Sequence, residues 1–522
     1  MRALLGFLLF SFSLSASAAD VSVRFFGAQQ EPRRPANEAY INAIVDSDSI
    51  ERSNIRVRIA FDPSFEILEV RHWPFLWECT SAPGEVICTN PEFKLGADGQ
   101  IMLQLRTPAA PRGGEFRFTA DLTADNDTNP ANNHAETVLY VIQRMLVTNT
   151  NDSGEGSLRA AIEQLNASCG RARPCDIRFV IPSVTVPVIE PLSPLPEITA
   201  CGTVIGDLPT DIRAQPPLQV ELRGTHAGTG SGLVLRTTCG NDDAYVVGLA
   251  VGGFPEDGVA IRGGGFYRIW GCRLGTDASG MQAVPNGLRG LAVTDPGAIT
   301  TALASQISGN ARSGIALWSA LTTYVGGTMI GVAADGTAMA NGTSGIFVAP
   351  NVGSLNVADS VIANNVDFGL ALASTRGVIN IGPDVRITGN RTLDIDWNLD
   401  GPSPAGDARV PPTPRIVSAA YDPDTNRTHV TYTIEPIRGG SLRLRFYASE
   451  GRTRFGTAHL DTFLGERAFN AGPGGTFTEE FEGDLRGKWI SAWAQAWTVQ
   501  LFPDSPAPSM MWPSEVSEAV KP

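Results

Sequence analysis

Oxygen donors alternate in Asp396-Trp-Asn398-Leu-Asp400-Gly401, and Asp407 follows Asp396 by eleven residues. Hard cations such as Ca2+ want several carboxylate and carbonyl oxygens on a tightly curved backbone, and a calcium loop has this spacing. Asp407 stands where such loops carry the longer Glu, and Pro402 and Pro404 stiffen the second half. A polar, Asp-rich linker is therefore the other reading. Asp125-x-Asp127-x-Asn129 and Asp422-x-Asp424-x-Asn426 repeat the alternation without the glycine, and read as turns first and calcium sites second. For catalysis on a polysaccharide, two carboxylates must face one groove. The candidates are Asp242, Asp243, Asp257, Asp277, Asp335 and Asp367. Asp277 and Asp335 sit in matching loops, Gly275 to Gly280 and Gly331 to Gly336, so both can project on one side, although their contexts are also ordinary turn chemistry. Histidines stand at 72, 134, 226, 429 and 459, none near a plausible Ser or Cys nucleophile, which argues against a triad.

Trp489, Trp493 and Trp497 are spaced by four. On a strand, even spacing puts all three on one face. They either fill a core or line a platform on which sugars stack. Trp73 and Trp77, beside Phe75, pose the same choice. Gly263-Gly-Gly265 is a turn, because no Lys-Ser/Thr follows it to make a phosphate loop.

The elements that must hold these residues are strands. The chain of 522 residues has 55 Gly, 36 Pro and only 18% charged residues, the composition of an all-β protein rich in turns. Residues 1–19 read as a secretory signal: Arg2, an apolar run from Ala3 to Leu14 too short to span a membrane, then small residues at Ala16 to Ala19. No second long apolar stretch follows, so no transmembrane segment is expected in the mature chain. A net charge of −14 argues against nucleic acid and suits a neutral polysaccharide or cation-bridged partner.

Seven cysteines in an exported chain imply disulfides. Cys79 and Cys88 flank a Ser-Ala-Pro-Gly turn as a hairpin staple, and Cys169 and Cys175 close a short loop. Cys201 and Cys239 each begin a Cys-Gly pair before a strand and can stack, which leaves Cys272 as a buried thiol.

Residues 20–143 alternate in β fashion and read as an immunoglobulin-like sandwich, for example Ile55-Arg-Val57-Arg-Ile59 and Ile101-Met-Leu103-Gln-Leu105. The turn Asn129-Pro-Ala-Asn132-Asn133 before the last strand resembles that of repeat sandwiches in bacterial surface proteins. From 145 to 405 a Gly-apolar-x-apolar cassette recurs: Gly258-Val-Ala-Ile, Gly290-Leu-Ala-Val, Gly314-Ile-Ala-Leu, Gly345-Ile-Phe-Val and Gly369-Leu-Ala-Leu. Gly258 and Gly314 lie 56 residues apart, Gly290 and Gly345 lie 55 apart, and periods of this size signal a solenoid. Asn310, Asn364, Asn365 and Asn390 fall at equivalent turns, where asparagine side chains can bond along the stack. The solenoid is headed by Thr150 to Leu165, in which Ser157 caps a short helix with Leu158, Ala161, Ile162 and Leu165 on one face.

The run Thr-Asn-Asp-Ser-Gly-x-Gly-Ser-Leu-Arg-x-Ala-Ile, ending at Ile162, resembles the N-terminal cap of secreted right-handed parallel β-helix proteins of the pectate-lyase-like and polymorphic-outer-membrane-protein group. Residues 412–522 read as a second β-sandwich. They resemble the small C-terminal domain that follows such coils and ends in a Ser-Glu-x-Ser strand, here Ser514 to Ser517. The expected fold is thus all-β: a right-handed parallel β-helix flanked by N-terminal and C-terminal sandwiches. The expected function is a secreted or cell-surface, non-catalytic scaffold that binds a polysaccharide or cell-surface glycan. The alternative is a polysaccharide lyase or glycoside hydrolase working in a groove along the coil.

Overall fold

The structure, a computed structural model, describes residues 20–26, 38–47, 53–73, 77–93, 99–109, 113–125, 127–170, 174–209, 215–237, 243–373, 377–402, 412–436, 441–470, 474–498 and 510–522. The expected signal, Phe75, Cys239, Asp242 and Asp407 lie outside the described residues. The chain forms two compact units, Met1–Arg144 and Met145–Pro522.

In the first unit, strict alternation produces two antiparallel sheets. One runs Val21–Phe26, Glu38–Ser47, Gly99–Arg106, Glu66–Trp73 in spatial order. The other runs Glu78–Ala82, Glu85–Phe93, Ser53–Ala60, Gly114–Ala124, His134–Val141. Ile41, Ile59, Ile101, Phe118 and Trp77 are buried between them, each such side chain contributing about 2 kcal/mol through its lost water contact. Cys79 and Cys88 stand directly opposite across their hairpin and form a disulfide.

The second unit opens on the helix Leu158–Ser168. Ser157 accepts a hydrogen bond from the Ala160 amide, and Leu158, Ala161, Ile162 and Leu165 face the first rung of the coil. Cys169, just past the helix, is bonded to Cys175 at the start of a strand. Cys201 is also disulfide-bonded. Cys272 is a free, fully buried thiol whose burial pushes it up to about 11.

Beyond the helix, strands stack in parallel into three sheets of nine, eight and seven strands among the described residues. This is the β-helix. The inward row of the second sheet runs Ile189, Leu222, Val251, Leu274, Ile307, Ile330, Ile362, Ile387, each beside the next. The cassettes pair in the register their period requires: Val259, Leu291, Ile315, Ile346 and Leu370 lie one above another in the third sheet.

The glycine that begins each cassette has a steric reason. A Cβ on Gly258, Gly290, Gly314 or Gly345 would meet the carbonyl oxygen of the glycine one rung on at 2.9 Å, and an asparagine amide at 2.7–3.0 Å. Those amides form a buried ladder: Asn286, Asn310, Asn341, Asn365 and Asn390 each donate to the next at 2.9–3.0 Å. Asn390 donates in turn to Asp394. The ladder includes Asn286 and Asn341, and takes Asn365 while its neighbour Asn364 adopts φ +58°.

The last rung would leave three sheet edges open, a hazard that must be covered. Residues beyond 412 cover all three. Gln495 Nε2 donates to Ile379 O at 2.7 Å, and Arg445 donates to Ile381 O, closing the first sheet. Ile387 and Leu460 exchange backbone hydrogen bonds at the second. The Trp397 backbone and indole N–H groups donate to Glu515 and to Pro513 O at the third. The C-terminal region comprises a three-stranded sheet, Arg415–Asp422, Arg427–Ile434, Gly475–Glu482, and a four-stranded one, Thr462–Asn470, Ser441–Ser449, Trp489–Thr498, Met510–Pro513. The expected strand at Ser514 to Ser517 is not part of that ladder. The hydroxyls of Ser514 and Ser517 instead take the Ala494 and Ala492 amides, so side chains replace backbone carbonyls along this edge.

Candidate functional site

The outward row of the third sheet is Val234, Ala260, Ala292, Ala316, Phe347, Ala371, Asp396. The alanines are 1% exposed, so flanking side chains close over them. The next outward position in successive cassettes holds Arg262, Thr294, Trp318, Ala349 and Ala373. Phe347 thus interrupts a row of alanines, and the adjacent rung carries Trp318 at the variable position that follows. These two rings meet, with centroids 4.9 Å apart. Trp318 is 43% exposed although it lies mid-coil. Register shifts beside it, Ala349 and Pro350 opposing one residue, and such bulges re-aim side chains next to sites.

Arg289, just before the Gly290 cassette, places its guanidinium 5.3 Å from the Trp318 ring centre. Its Nη1 also donates to Asp257 Oδ1 at 3.2 Å. Burial pushes the Asp257 carboxyl up, and the Arg289 charge and hydrogen bond only partly pull it back. Ser313 and Thr343 pair their hydroxyls nearby at 2.9 Å. An exposed indole with a second ring against it suits the apolar face of a sugar, and the Arg289 guanidinium beside it can donate to a hydroxyl, while Asp257 itself is buried.

Asp277 and Asp335 do lie in neighbouring loops, joined by Ala334 N to Gly280 O at 3.0 Å. Their carboxylates, however, turn back into those loops. Asp277 Oδ1 accepts from Met281 N, Gln282 N and Ser279 Oγ, and Asp335 Oδ1 from Thr337 N and Oγ1. Burial raises Asp277, but these donors outweigh it and hold the group below the ordinary range. A lowered carboxyl stabilises the fold above its unfolded value and loses that contribution as pH falls through the folded one. Asp277→Ala is accordingly expected to cost about 1–2 kcal/mol in urea denaturation at pH 7, a difference that shrinks as pH falls below the unfolded carboxyl value of about 3.9. Under these loops, on the second sheet, a cavity of about 220 Å³ is lined by Gln215, Arg273, Gln306, Met329 and Ala334 among others.

Of the tryptophan row, Trp493 is fully buried in the coil's own core cluster with Tyr447, Leu460 and Val516. The sandwich core is made by the other face of that strand, through Ile490, Ala492, Ala494 and Ala496. Trp489 is half-buried beneath Arg452 and Lys521, and the Trp497 side chain lies outside the described residues. Trp77 is core, whereas Trp73 is 53% exposed.

At the coil exit, Asn398 and Leu399 are left-handed, with φ +64° and +62°, and Asp400 is exposed. Asp396 is fully buried; its Oδ2 accepts from Gly401 N, and its Oδ1 has no hydrogen-bond partner among the described residues. Burial first, then the Glu515 charge, pushes Asp396 up to about 7. No group of three or more His, Cys, Asp or Glu gathers as a metal set among the described residues. Asp127 and Asp422 each accept from the backbone two residues on, as turn aspartates do. No helix among the described residues is long and apolar enough to cross a membrane.

No protein-family model matches the chain, and neither does any curated protein. Among solved structures, the enzymatically active domain of bacteriophage CBA120 tailspike protein 2 is 9% identical over 73% of this chain and 77% of its own, with a TM-score of 0.25. The catalytic unit of a GH87 α-1,3-glucanase from Streptomyces thermodiastaticus is 11% identical over 74% and 88%, with a TM-score of 0.17. A type III cohesin module from a cell-surface anchoring scaffoldin of Ruminococcus flavefaciens is 10% identical over 25% and 92%, with a TM-score of 0.19. At TM-scores of this size, none of these likenesses assigns an activity or a ligand to the chain.

Proposed function

We propose that this chain is an exported, non-catalytic β-helix scaffold that binds a polysaccharide or cell-surface glycan at the Trp318 patch. One observation carries the reading. The large aromatics of two adjacent cassettes, Trp318 and Phe347, meet in space, and Arg289 stacks on the exposed ring. A buried core does not call for an exposed indole; a sugar-stacking surface does. The test is a screen of the mature chain against soluble polysaccharides by affinity electrophoresis. Trp318→Ala is expected to weaken retardation about tenfold, the loss of one hot-spot aromatic, with an unchanged melting temperature. Equal retardation of wild type and variant defeats the assignment.

The second reading, hydrolysis or elimination, is favoured by the raised, buried Asp257 carboxyl, which bonds the Arg289 guanidinium that lies over Trp318. Its signature is release of reducing or unsaturated sugar from a retained polysaccharide, abolished in Asp257→Asn. Asp277 and Asp335, committed to their turns, are expected to be dispensable for any such release.

A calcium ion at the coil exit belongs to the same proposal. Asp396 offers a buried oxygen without a hydrogen-bond partner among the described residues, Asn398 stands on the left-handed turn, and the sequence adds the carboxylates of Asp400 and Asp407. Chelation with EDTA is expected to lower the melting temperature, and Asp400→Ala to remove that sensitivity. A melting curve indifferent to EDTA ends the calcium reading.

A further inference from the structure

We propose that the outer face of the four-stranded sheet in the first unit is a second, flat platform for a neutral polysaccharide chain, an inference that rests on the glycan-binding reading of the coil. Cross-strand register puts its residues on one side: Phe26 beside Asn42 beside Met102, Ile44 beside Gln100 beside Trp73, and Tyr40 beside Gln104. Three of these are large aromatics left in water, Phe26 at 59%, Trp73 at 53% and Tyr40 at 44% exposure. The opposite face of the same strands fills the core with Val23, Ile41, Leu103 and their neighbours. The three exposed rings are thus not part of that core. With strands about 4.8 Å apart, Phe26 on one edge strand and Trp73 on the other span roughly 15 Å, enough for several sugar rings in a row.

The charges on this face say what kind of partner fits. Arg24 pairs with Asp46 at 2.7 Å, Arg71 with Glu69 at 2.7 Å and Arg106 with Glu66 at 2.5 Å. Glu38 takes the Tyr40 hydroxyl and the Gln104 amide. Among the described residues, the cations of this face are thus matched locally by carboxylates, which leaves no unmatched positive charge there for a polyanion. What remains are rings and the amides Asn42, Gln100 and Gln104, each able to donate and accept. Rings for apolar sugar faces and amides for hydroxyl pairs select an uncharged glycan. A sandwich face of this kind binds by stacking and hydrogen bonding rather than by charge, so retention is insensitive to salt.

The experiment compares full-length mature wild type, the double variant Tyr40→Ala/Trp73→Ala, and Trp318→Ala, for retention on insoluble neutral polysaccharides (cellulose and β-1,3-glucan) and for retardation by soluble neutral and anionic ones. The proposal expects the double variant to lose retention on a neutral polysaccharide by about tenfold or more, with an unchanged melting temperature and no dependence on added salt. If Trp318→Ala abolishes binding and the double variant binds as wild type, the platform is refuted while the glycan-binding reading stands. Binding through this face that is confined to anionic polysaccharides and lost in salt also refutes it. A dimer of the chain that the double variant dissociates shows the face to be an interface between copies, which overturns the proposal. Retention on no polysaccharide at all defeats the platform and the reading it rests on together.

Discussion

Replacing Asn341 by alanine is expected to destabilise the coil by about 4 kcal/mol or more, a cost set by several buried groups losing partners at once. Asn341 sits fully buried in mid-ladder. Its Oδ1 accepts from the Asn310 backbone and side chain, and its Nδ2 donates to Ile307 O and Asn365 Oδ1. Alanine leaves donors and acceptors from two further rungs without water to replace the lost partner. Urea denaturation followed by circular dichroism measures the loss. Asn356→Ala, on the half-buried outer face of the first sheet, is the control and is expected to stay within about 0.5 kcal/mol. A cost at Asn341 below about 1 kcal/mol would show that stacked aliphatic rows, not the amides, hold the rungs in register.

The second large effect is expected at Asp394→Ala. This fully buried carboxylate ends the amide ladder, accepting from Asn390 Nδ2 at 3.0 Å, and also binds the C-terminal region through Leu460 N and His459 Nδ1 at 3.0 and 3.2 Å. Removing it strands three donors, one of them a cationic ring when protonated, a loss of about 4 kcal/mol. Hydrogen exchange is expected to accelerate across Ser441–Ser449 and Trp489–Thr498, the strands that close the coil, while the helix Leu158–Ser168 keeps its protection. Burial lowers the His459 pKa, but the bond to Asp394 and the charges of Asp394 and Asp461 outweigh it, leaving the group above its ordinary value. A raised histidine adds stability that is complete below its unfolded value of about 6.5 and is lost as pH rises through the folded one. The junction is therefore expected to be firmer at pH 5.5 than at pH 9, with Asp394→Ala erasing the difference. A variant with unchanged pH dependence would place the junction's stability elsewhere.

The solenoid was legible because it repeats. Gly258, Gly290, Gly314, Gly345 and Gly369 mark rungs whose two-rung unit recurs every 55–56 residues, and stacking lets each rung bury its neighbour's apolar face. The helix was legible for a local reason, since Ser157 and the spacing of four apolar residues need no tertiary information. The functional patch was harder. Nothing about Trp318 or Phe347 alone is unusual; they matter because stacking brings the two rings of adjacent rungs together, which shows only once the cassettes are superposed. The tryptophans at 489 and 493 illustrate the opposite problem. Their alternation correctly places them on one face, but which surface that face meets depends on the coil edge, contributed by residues more than a hundred positions earlier. Asp394, His459 and Glu515 were invisible for the same reason: their partners are distant in sequence. Asp277 and Asp335 were prominent because they recur in matching loops, yet the recurrence reflects the turn each one caps.

A glycan resting on the aromatic pair of the third sheet must shield the strands that carry the two rings. Hydrogen–deuterium exchange of the mature chain, with and without oligosaccharides cut from a retained polysaccharide, reads that shielding strand by strand. Slowed exchange is expected in peptides covering Ile315–Ala320 and Ile346–Val352 and in the segment around Arg289. Protection confined to the loops at Asp277 and Asp335, with none at Trp318, would contradict binding at the pair.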